Sequence, residues 1–206
     1  MKRLIPVLLA AFFLLGFYGV SGAAIIDFEN VPGADAKSSA NNPIPDDYYD
    51  FDWDQFKVIH EDYASGSGYD KGVVSGEWAA YNAYANVATV NDNSFDFTGA
   101  WFTAAYSGNL FIDIQGYSDG ARKYYTTINV DNTGSEWFDV GFTGIDQLEF
   151  NSYSSYTGVG NQFVMDDFTY ESTDTAPVPE PSTIMLMGIG LLGLVAYSRN
   201  RSQRII

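Results

Sequence analysis

Residues 110–117 read Leu110-Phe111-Ile112-Asp113-Ile114-Gln115-Gly116-Tyr117, which is an alternating pattern. The even-numbered residues are apolar or small and share one side of the stretch, whereas the odd-numbered residues are polar or aromatic and share the other. Successive side chains of a β-strand point to opposite faces of the sheet. The pattern therefore predicts a strand with one buried and one solvated face, as is common in antiparallel sheets.

Similar segments, rich in aromatic or β-branched residues, lie on both sides of this stretch. The predicted strands are 24–29, 94–97, 100–106, 109–117, 122–130, 137–142, 147–153 and 162–170. Turn signals rich in Gly, Asn and Asp separate them, as at Asp131-Asn132-Thr133-Gly134. Strands spaced by about 8–12 residues predict an all-β sandwich or barrel.

The part of the body before residue 94 is less regular. Residues 36–47 are polar and contain two prolines, so they predict a loop, and residues 65–71 predict a glycine-rich turn. Residues 50–60 alternate in their first half, which favours a strand. Residues 77–90 fit either one long strand or two short ones, and no segment has the pattern of an amphipathic helix.

The N-terminus has the organisation of a secretory signal peptide. Lys2 and Arg3 precede an apolar run at 4–20, and the small residues Ser21-Gly22-Ala23-Ala24 follow. The basic residues stay on the cytoplasmic side, the apolar run enters the membrane and the small residues fit signal peptidase. We predict a signal peptide at residues 1–24, cleaved after Ala23 or Ala24. The alternative is a retained N-terminal membrane anchor.

A second apolar run, at 184–197, is followed by Arg199, Arg201 and Arg204. Basic residues beside a membrane span favour the cytoplasmic side. We therefore predict a single transmembrane helix at about residues 183–198, with a linker at 171–177 and a body domain at 25–170 outside the inner membrane. A helix over Thr183–Tyr197 would span roughly 22 Å against a hydrocarbon core of about 30 Å, which suits a transient hold.

Val178-Pro179-Glu180-Pro181 stands just before this apolar run. A Pro-Glu-Pro triplet, a short glycine-containing apolar run and a terminal arginine cluster, in this order, closely resemble the PEP-CTERM sorting signal over residues 178–204. The resemblance implies transient anchoring in the inner membrane, cleavage near the triplet by an exosortase, and delivery to the cell surface or the extracellular matrix of a biofilm. An ordinary C-terminal anchor after a proline-rich stalk is the alternative.

The composition limits the chemistry and partners of the exported part. There is no cysteine, which excludes disulfides and thiol chemistry. All 26 acidic residues lie between Asp27 and Glu180, where only five basic residues occur, so this part has a net charge of −21. Such a charge repels nucleic acid and anionic membranes and favours cation binding. The five basic residues are Lys37, Lys57, Lys71, Arg122 and Lys123.

Three short motifs in the body resemble the bodies of many PEP-CTERM proteins. They are Ile26-Asp27-Phe28-Glu29, residues 97–105 and residues 163–168. Those bodies are similar to jelly-roll β-sandwiches of the carbohydrate-binding-module or galactose-binding-like kind. The resemblance implies that the first and last strands pair, which would bring Asp27 and Glu29 near Asp166 and Asp167.

Modules of that type often hold a structural calcium where the first and last strands meet. The hypothesis is that Asp27, Glu29, Asp166 and Asp167 include its ligands, because calcium takes six to eight oxygens and clustered carboxylates repel one another without a cation. Adjacent residues of a regular strand face opposite sides, so Asp166 and Asp167 can share a site only at a bulge. The alternative, that these are ordinary strand-end acids, stays open.

Sugar binding by exposed aromatic rings is a second hypothesis, for which Tyr153 and Tyr156 in a serine- and glycine-rich segment are the candidates. We assign no catalytic residue, because His60 has no cysteine partner and no Gly-x-Ser-x-Gly elbow is present. We expect a non-enzymatic exported protein whose body binds exopolysaccharide. A purely structural matrix protein is the alternative, and a polysaccharide-active enzyme is the third possibility.

Overall fold

The computed structural model describes residues 22–155 and 157–173, together with the isolated residue 188. Residues 21–174 form a compact unit, the body, with its own hydrophobic core. The strands are β1 (Ala24–Ile26), β2 (Asn42–Pro43), β3 (Asp52–Asp54), β4 (Phe56–His60), β5 (Trp78–Asn82), β6 (Ala88–Ala104), β7 (Leu110–Ser118), β8 (Ala121–Val130), β9 (Glu136–Tyr153) and β10 (Phe163–Ser172). Helix α1 is Gly68–Lys71, and 3₁₀ turns occupy Glu61–Ala64, Ala83–Ala85 and Gly158–Asn161.

All ten strands join in one antiparallel sheet in the order β2-β4-β5-β10-β6-β9-β7-β8, with β1 paired to β10 and β3 paired to β6. The predicted pairing of the first and last strands is therefore present, with Ala24 opposite Tyr170. Strand β10 pairs with β6 along one edge. Its other edge pairs with β5 near Val164 and with β1 near Thr169.

The sheet folds over on itself to enclose its core. Three strands separate β4 from β9 in the sheet order, yet the rings of Phe56 and Phe150 lie 5.8 Å apart. Phe163 on β10 contacts both of these rings. The inner faces of distant strands thus pack against each other through aromatic side chains, as in a sandwich. The predicted all-β class is confirmed.

Several predicted strands are parts of longer ones. The segment 94–97 and most of 100–106 belong to β6, which ends at Ala104, and 137–142 and 147–153 belong to β9. The glycine at the predicted turn between the latter two, Gly144, adopts φ +59°, and the register of β6 and β9 shifts nearby. A left-handed glycine here produces an irregularity within a continuous ladder instead of a chain reversal.

Other departures in the first half also arise from positive φ values. The predicted strand at 50–60 is split at Gln55 (φ +60°), so that β3 pairs with β6 while β4 pairs with β5. The first strand ends at Ile26, and Phe28 has φ +57°. These angles redirect the chain without glycine.

The remaining differences concern helices and boundaries. Residues 77–90 contain two strands, β5 and the start of β6, which was one of the two alternatives. The predicted turn at 65–71 contains helix α1, which begins after Ser67 because its hydroxyl accepts the backbone N–H of Tyr69. The predicted loop at 36–47 includes β2, and β10 continues to Ser172, into the predicted linker.

The signal peptide predicted at 1–24 lies outside the described residues except for 22–24. The predicted sorting tail and its transmembrane helix also lie outside them, apart from residue 188. Within the part of the chain that the structure describes, no helix is both long enough and apolar enough to cross a membrane.

Candidate functional site

A cleft of about 430 Å³ opens on the face of β4, β5 and β10 that is turned away from the main core. Beneath it lies a second, smaller core cluster that includes Ile59, Tyr69, Tyr81 and Val164. The cleft is lined by Ser39, Ala40, Asn41, Lys57, Tyr63, Tyr69, Tyr81, Tyr84, Tyr106 and Gln162. Half of these ten side chains are tyrosines, and we call the site the tyrosine cleft.

Two strands and one helix position the centre of the tyrosine cleft. Lys57 of β4 and Tyr81 of β5 are register partners, so their side chains lie next to each other on one face of the sheet. Tyr69 comes from α1, which lies against the end of β6. A Cβ atom at Gly68 would lie 1.8 Å from the carbonyl oxygen of Ala104, so this close approach of the helix requires glycine.

The floor of the cleft consists of two buried tyrosines with fixed hydroxyl groups. Tyr69 and Tyr81 are only 3% and 4% exposed. The Tyr69 hydroxyl donates to Oε1 of Gln162 at 2.7 Å, and the Tyr81 hydroxyl donates to the carbonyl oxygen of Ala40. Burial raises the pKa of both phenols, so they stay protonated at neutral pH.

The rim of the cleft consists of exposed tyrosines. Tyr63, Tyr84 and Tyr106 are 38%, 65% and 45% exposed. The rings of Tyr63 and Tyr106 meet the buried Tyr69 ring edge-on, at centroid distances of 5.9 and 5.4 Å. The floor ring therefore supports the rim rings in T-shaped contacts, which aromatic pairs favour.

Lys57 and Tyr84 are held together at one side of the rim. The Lys57 ammonium lies 4.6 Å from the centroid of the Tyr84 ring and donates to its hydroxyl at 3.2 Å and to Oδ1 of Asn41 at 2.8 Å. Tyr84 and Ala85 both have left-handed backbone angles, φ +58° and +59°. Such strain costs free energy and tends to occur where function requires it.

The lining residues define what the cleft can do chemically. They provide aromatic rings, neutral hydrogen-bonding groups and one ammonium group, but no carboxylate and no imidazole. A pair of carboxylates for hydrolysing a glycosidic bond is therefore missing from the lining. Aromatic faces beside hydroxyl and amide groups match the alternating apolar and polar surface of a sugar ring.

Three of the four acids predicted as calcium ligands, Glu29, Asp166 and Asp167, contact the same loop. Residues 74–78, which we call the clamp loop, precede and begin β5. Glu29 Oε1 accepts the backbone N–H groups of Glu77 and Trp78, both at 2.8 Å. Asp166 Oδ2 accepts those of Val74 and Ser75, at 2.7 and 2.9 Å.

The bulge required by the sequence argument is present at the two aspartates of β10. The register with β6 shifts after Asp166, and Asp167 has φ +51°. Consequently, Asp167 Oδ1 accepts the hydroxyl of Ser75 at 2.7 Å, so both aspartates reach the same residue of the clamp loop. Asp27 Oδ1 instead accepts the N–H of Glu29, at 3.2 Å.

These contacts do not form a calcium cage. Asp166 is fully buried, and its second oxygen accepts the N–H of Asp167 at 2.8 Å. Burial raises the pKa of Asp166 to about 7, although the backbone donors oppose the shift. Among the described residues, no group of three or more His, Cys, Asp or Glu side chains is arranged to hold a metal ion. Calcium binding stays a prediction.

Of the two tyrosines predicted to stack on sugars, only Tyr153 lies among the described residues. Tyr153 is 44% exposed, and its ring stacks on Phe111 at 5.6 Å on the outer face of β9 and β7. Tyr156 lies outside the described residues. Tyr153 therefore has the exposure that the hypothesis requires, but it lies apart from the residues lining the tyrosine cleft.

His60 has a structural role that the sequence did not indicate. It is 1% exposed, and its Nδ1 accepts the backbone N–H of Asp62 at 3.0 Å, which caps the 3₁₀ turn Glu61–Ala64. Its Nε2 lies 3.3 Å from Oε2 of Glu77. Since Nδ1 accepts a hydrogen bond, the proton of the neutral ring is on Nε2 and points to that carboxylate.

Sequence reasoning did not predict the tyrosine cleft. Tyr63, Tyr69, Tyr81, Tyr84 and Tyr106 are spread over 44 residues and five different structural elements or connections. One available signal was the small residues beside most of these tyrosines, which leave rings accessible. That signal does not show which rings converge, because convergence depends on the folding of the sheet.

The C-terminal tail can be compared with known sequence families. A family model described as the PEP-CTERM protein-sorting motif matches residues 177–201. The chain carries a PEP-CTERM sorting motif. The match includes the predicted Val178–Pro181 segment together with Arg199 and Arg201, and it ends before Arg204. A PEP-CTERM motif indicates export to the surface or exterior and implies processing by an exosortase.

Solved structures similar to this chain are remote. The CBM51-2 and INT domains of ZmpB from Clostridium perfringens share 14% identity, cover 59% of this chain and 30% of that one, and give a TM-score of 0.40. The CBM22 tandem of Xyn10C from Paenibacillus barcinonensis shares 10%, with coverages of 81% and 50% and a TM-score of 0.41. TmCBM61 in complex with β-1,4-galactotriose shares 12%, with coverages of 59% and 88% and a TM-score of 0.31.

The chain thus spans at most half the length of the first two of these structures. No curated protein sequence matches it. These identities and TM-scores are too low for the neighbours to indicate a ligand. Any indication of a ligand must therefore come from the residues of this chain.

Proposed function

We propose that this is a non-enzymatic protein of the cell surface or extracellular matrix that binds exopolysaccharide in its tyrosine cleft. In this proposal, signal peptidase removes residues 1–24 and an exosortase cuts near Pro179-Glu180-Pro181 after a transient stay in the inner membrane. The body delivered in this way is the folded unit that meets the matrix.

The observation that supports binding is the construction of the cleft. Three exposed tyrosine rings stand above a floor whose buried hydroxyls are fixed by hydrogen bonds. A rigid aromatic rim loses little side-chain entropy when a ligand binds, since its rings are already held by neighbouring rings and by Lys57. The strained backbone at Tyr84 is a further sign that this ring is placed for contact with a ligand.

A glycan array followed by calorimetry on the body, residues 25–174, tests the proposal. For any glycan that binds, Tyr84→Ala and Tyr106→Ala should each weaken affinity by about tenfold, which corresponds to roughly 1.4 kcal/mol. Tyr125→Ala is the matched control, because Tyr125 is also an exposed tyrosine, at 53%, but lies on β8 outside the cleft. Equal losses in all three variants would contradict binding in the cleft.

Two other functions give different results in the same experiment. A purely structural matrix protein would bind neither acidic nor neutral glycans on the array. A polysaccharide-active enzyme would shorten a glycan during incubation, and substitution of acidic residues or His60 would abolish that turnover.

Tyr153 is proposed as a further stacking residue on the outer sheet face. Its exposure and its contact with Phe111 support this role. Tyr153→Ala should reduce affinity for long chains more than for short oligosaccharides, because only a long chain can reach from the cleft to this face.

A further inference from the structure

The tyrosine cleft differs in charge from the rest of the body. The exported part holds 26 acidic residues, yet no carboxylate lines the cleft. The one charged lining residue is Lys57, which is one of only five basic residues in that part of the chain. The cleft is therefore a cationic spot in an acidic molecule.

The hydrogen bonds of Lys57 leave its charge uncompensated. Its ammonium donates to Oδ1 of Asn41 and to the hydroxyl of Tyr84, which are both neutral groups. No carboxylate of the described residues lies within 4.0 Å of it, whereas Lys37 is paired with Glu77 at 2.7 Å. A lysine has three N–H donors, so one remains for an acceptor in the cleft.

We propose that the tyrosine cleft selects a sugar that carries a carboxylate, with the carboxylate bound by the ammonium of Lys57 and the ring stacked on Tyr84. This inference rests on the proposed function and names its ligand class, a uronic acid residue within an exopolysaccharide. A charge-assisted hydrogen bond beside an aromatic face is stronger than a neutral one. The absence of lining carboxylates removes the short-range repulsion that such a ligand would otherwise meet inside the cleft.

The net charge of −21 further restricts the ligand. A dense polyanion would be repelled by the acidic body, whereas a single carboxylate is repelled much less and the contact with Lys57 is local. At physiological salt, screening over about 8 Å weakens the repulsion from the more distant acidic residues but leaves the direct contact with Lys57 largely unaffected. The preferred ligand is thus a polysaccharide in which uronic acid residues are separated by neutral sugars.

Matched oligosaccharides test this inference by calorimetry on the body. Each probe is a disaccharide with one glucuronic, galacturonic or mannuronic acid, and its partner is the same disaccharide after reduction of the carboxyl group to an alcohol. For the disaccharide that binds best, we expect the acidic form to bind roughly tenfold more tightly, in the range of hydrogen bonds to charged groups.

Variants of Lys57 assign the preference to this residue. Lys57→Gln should reduce the ratio of acidic to neutral affinity to about one, and Lys57→Arg should retain most of it. If a substitution of Lys57 also displaces Tyr84, the affinity for the acidic and the neutral ligand would fall equally. The ratio of the two affinities is not changed by such a loss. Lys123→Met is the matched control, since Lys123 lies on β8 outside the cleft, and it should leave the ratio unchanged.

The possible failures are distinct. If neither form of any disaccharide and no array glycan binds, the proposed function is wrong. If both forms bind equally, or if Lys57→Gln keeps the preference for the acidic form, the inference about the carboxylate is overturned while binding in the cleft stands. Melting temperatures of all variants within a few degrees of the parent body exclude unfolding as the cause.

Discussion

Substitution of Gly68 by alanine should displace helix α1 and destabilise the body. The new Cβ atom would lie 1.8 Å from the carbonyl oxygen of Ala104, 2.7 Å from its carbon and 3.0 Å from Cα of Ala105. All three atoms belong to the backbone, so no side-chain rotation relieves the clash. Moving the helix away also breaks the hydrogen bond from the Gly68 N–H to the carbonyl oxygen of Ala105, now 2.9 Å.

The expected loss of stability is the sum of opposing effects. Overpacking costs about 1–3 kcal/mol, and loss of the hydrogen bond adds about 1 kcal/mol. Replacing glycine reduces the entropy of the unfolded chain and returns about 0.4–1 kcal/mol. The net loss of about 1–3.6 kcal/mol corresponds to a melting temperature lower by roughly 2–14 °C for a domain of this size.

Urea denaturation and thermal melting of the body measure this loss, and Gly108→Ala is the matched control. A Cβ atom at Gly108 meets nothing within 4 Å, so that variant should be as stable as the parent or slightly more stable. Because Tyr69 follows Gly68 directly, Gly68→Ala should also weaken glycan binding at temperatures where the variant is folded. Equal stability of the two alanine variants would show that α1 does not pack this closely against the end of β6.

Three further predictions concern charge, calcium and processing. Burial raises the pKa of Asp166 to about 7 from an unfolded value of about 3.9, so the folded body holds this proton more tightly. This contribution to stability is complete below a pH of about 4 and is lost as the pH rises through about 7. In melting curves recorded between these pH values, Asp166→Asn should make the melting temperature less dependent on pH. An unchanged dependence of the melting temperature on pH would exclude Asp166 as its source. The calcium prediction requires heat and a raised melting temperature when the chelated body is titrated with calcium, and the absence of both signals would leave Asp27, Glu29, Asp166 and Asp167 as structural acids. Intact-mass measurement of the mature protein should show loss of residues 1–24 and of the segment after the Pro-Glu-Pro triplet, whereas a species that keeps residues 185–206 contradicts processing.

The strand pattern could be predicted where side chains alternate within a single segment. Leu110, Ile112 and Ile114 are fully buried in β7, and their outward neighbours are not, as the pattern indicated. The extent of β6 and β9 could not be predicted in this way. Gly144 is a strong turn signal by itself, but pairing of β9 with β6 continues across it and turns it into a local irregularity.

The candidate sites show the same division between local and tertiary information. Pairing of the first and last strands was implied by the resemblance of the motifs at the two ends of the body, whereas the bulge at Asp166 and Asp167 was only a condition for their sharing a site. The partner of those acids did not, because the clamp loop approaches them from more than 90 residues away in sequence. The tyrosine cleft was missed for the same reason, since its five rings converge only after the sheet has folded over.

The position of β10 has a mechanical consequence. Gln162, which lines the tyrosine cleft, comes directly before β10, and the chain leaves the body toward its C-terminal tail directly after it. If a polysaccharide is bound in the cleft while the C-terminal end of the body is tethered, part of the tension passes along this strand, because Gln162 is one of the lining residues. Strand β10 is bonded to β6 along one edge and to β5 and β1 along the other, so its hydrogen bonds would bear the load together, in shear, rather than unzip one after another. If the proposed binding takes place, this arrangement of β10 would resist force between the cleft and the C-terminal end of the body.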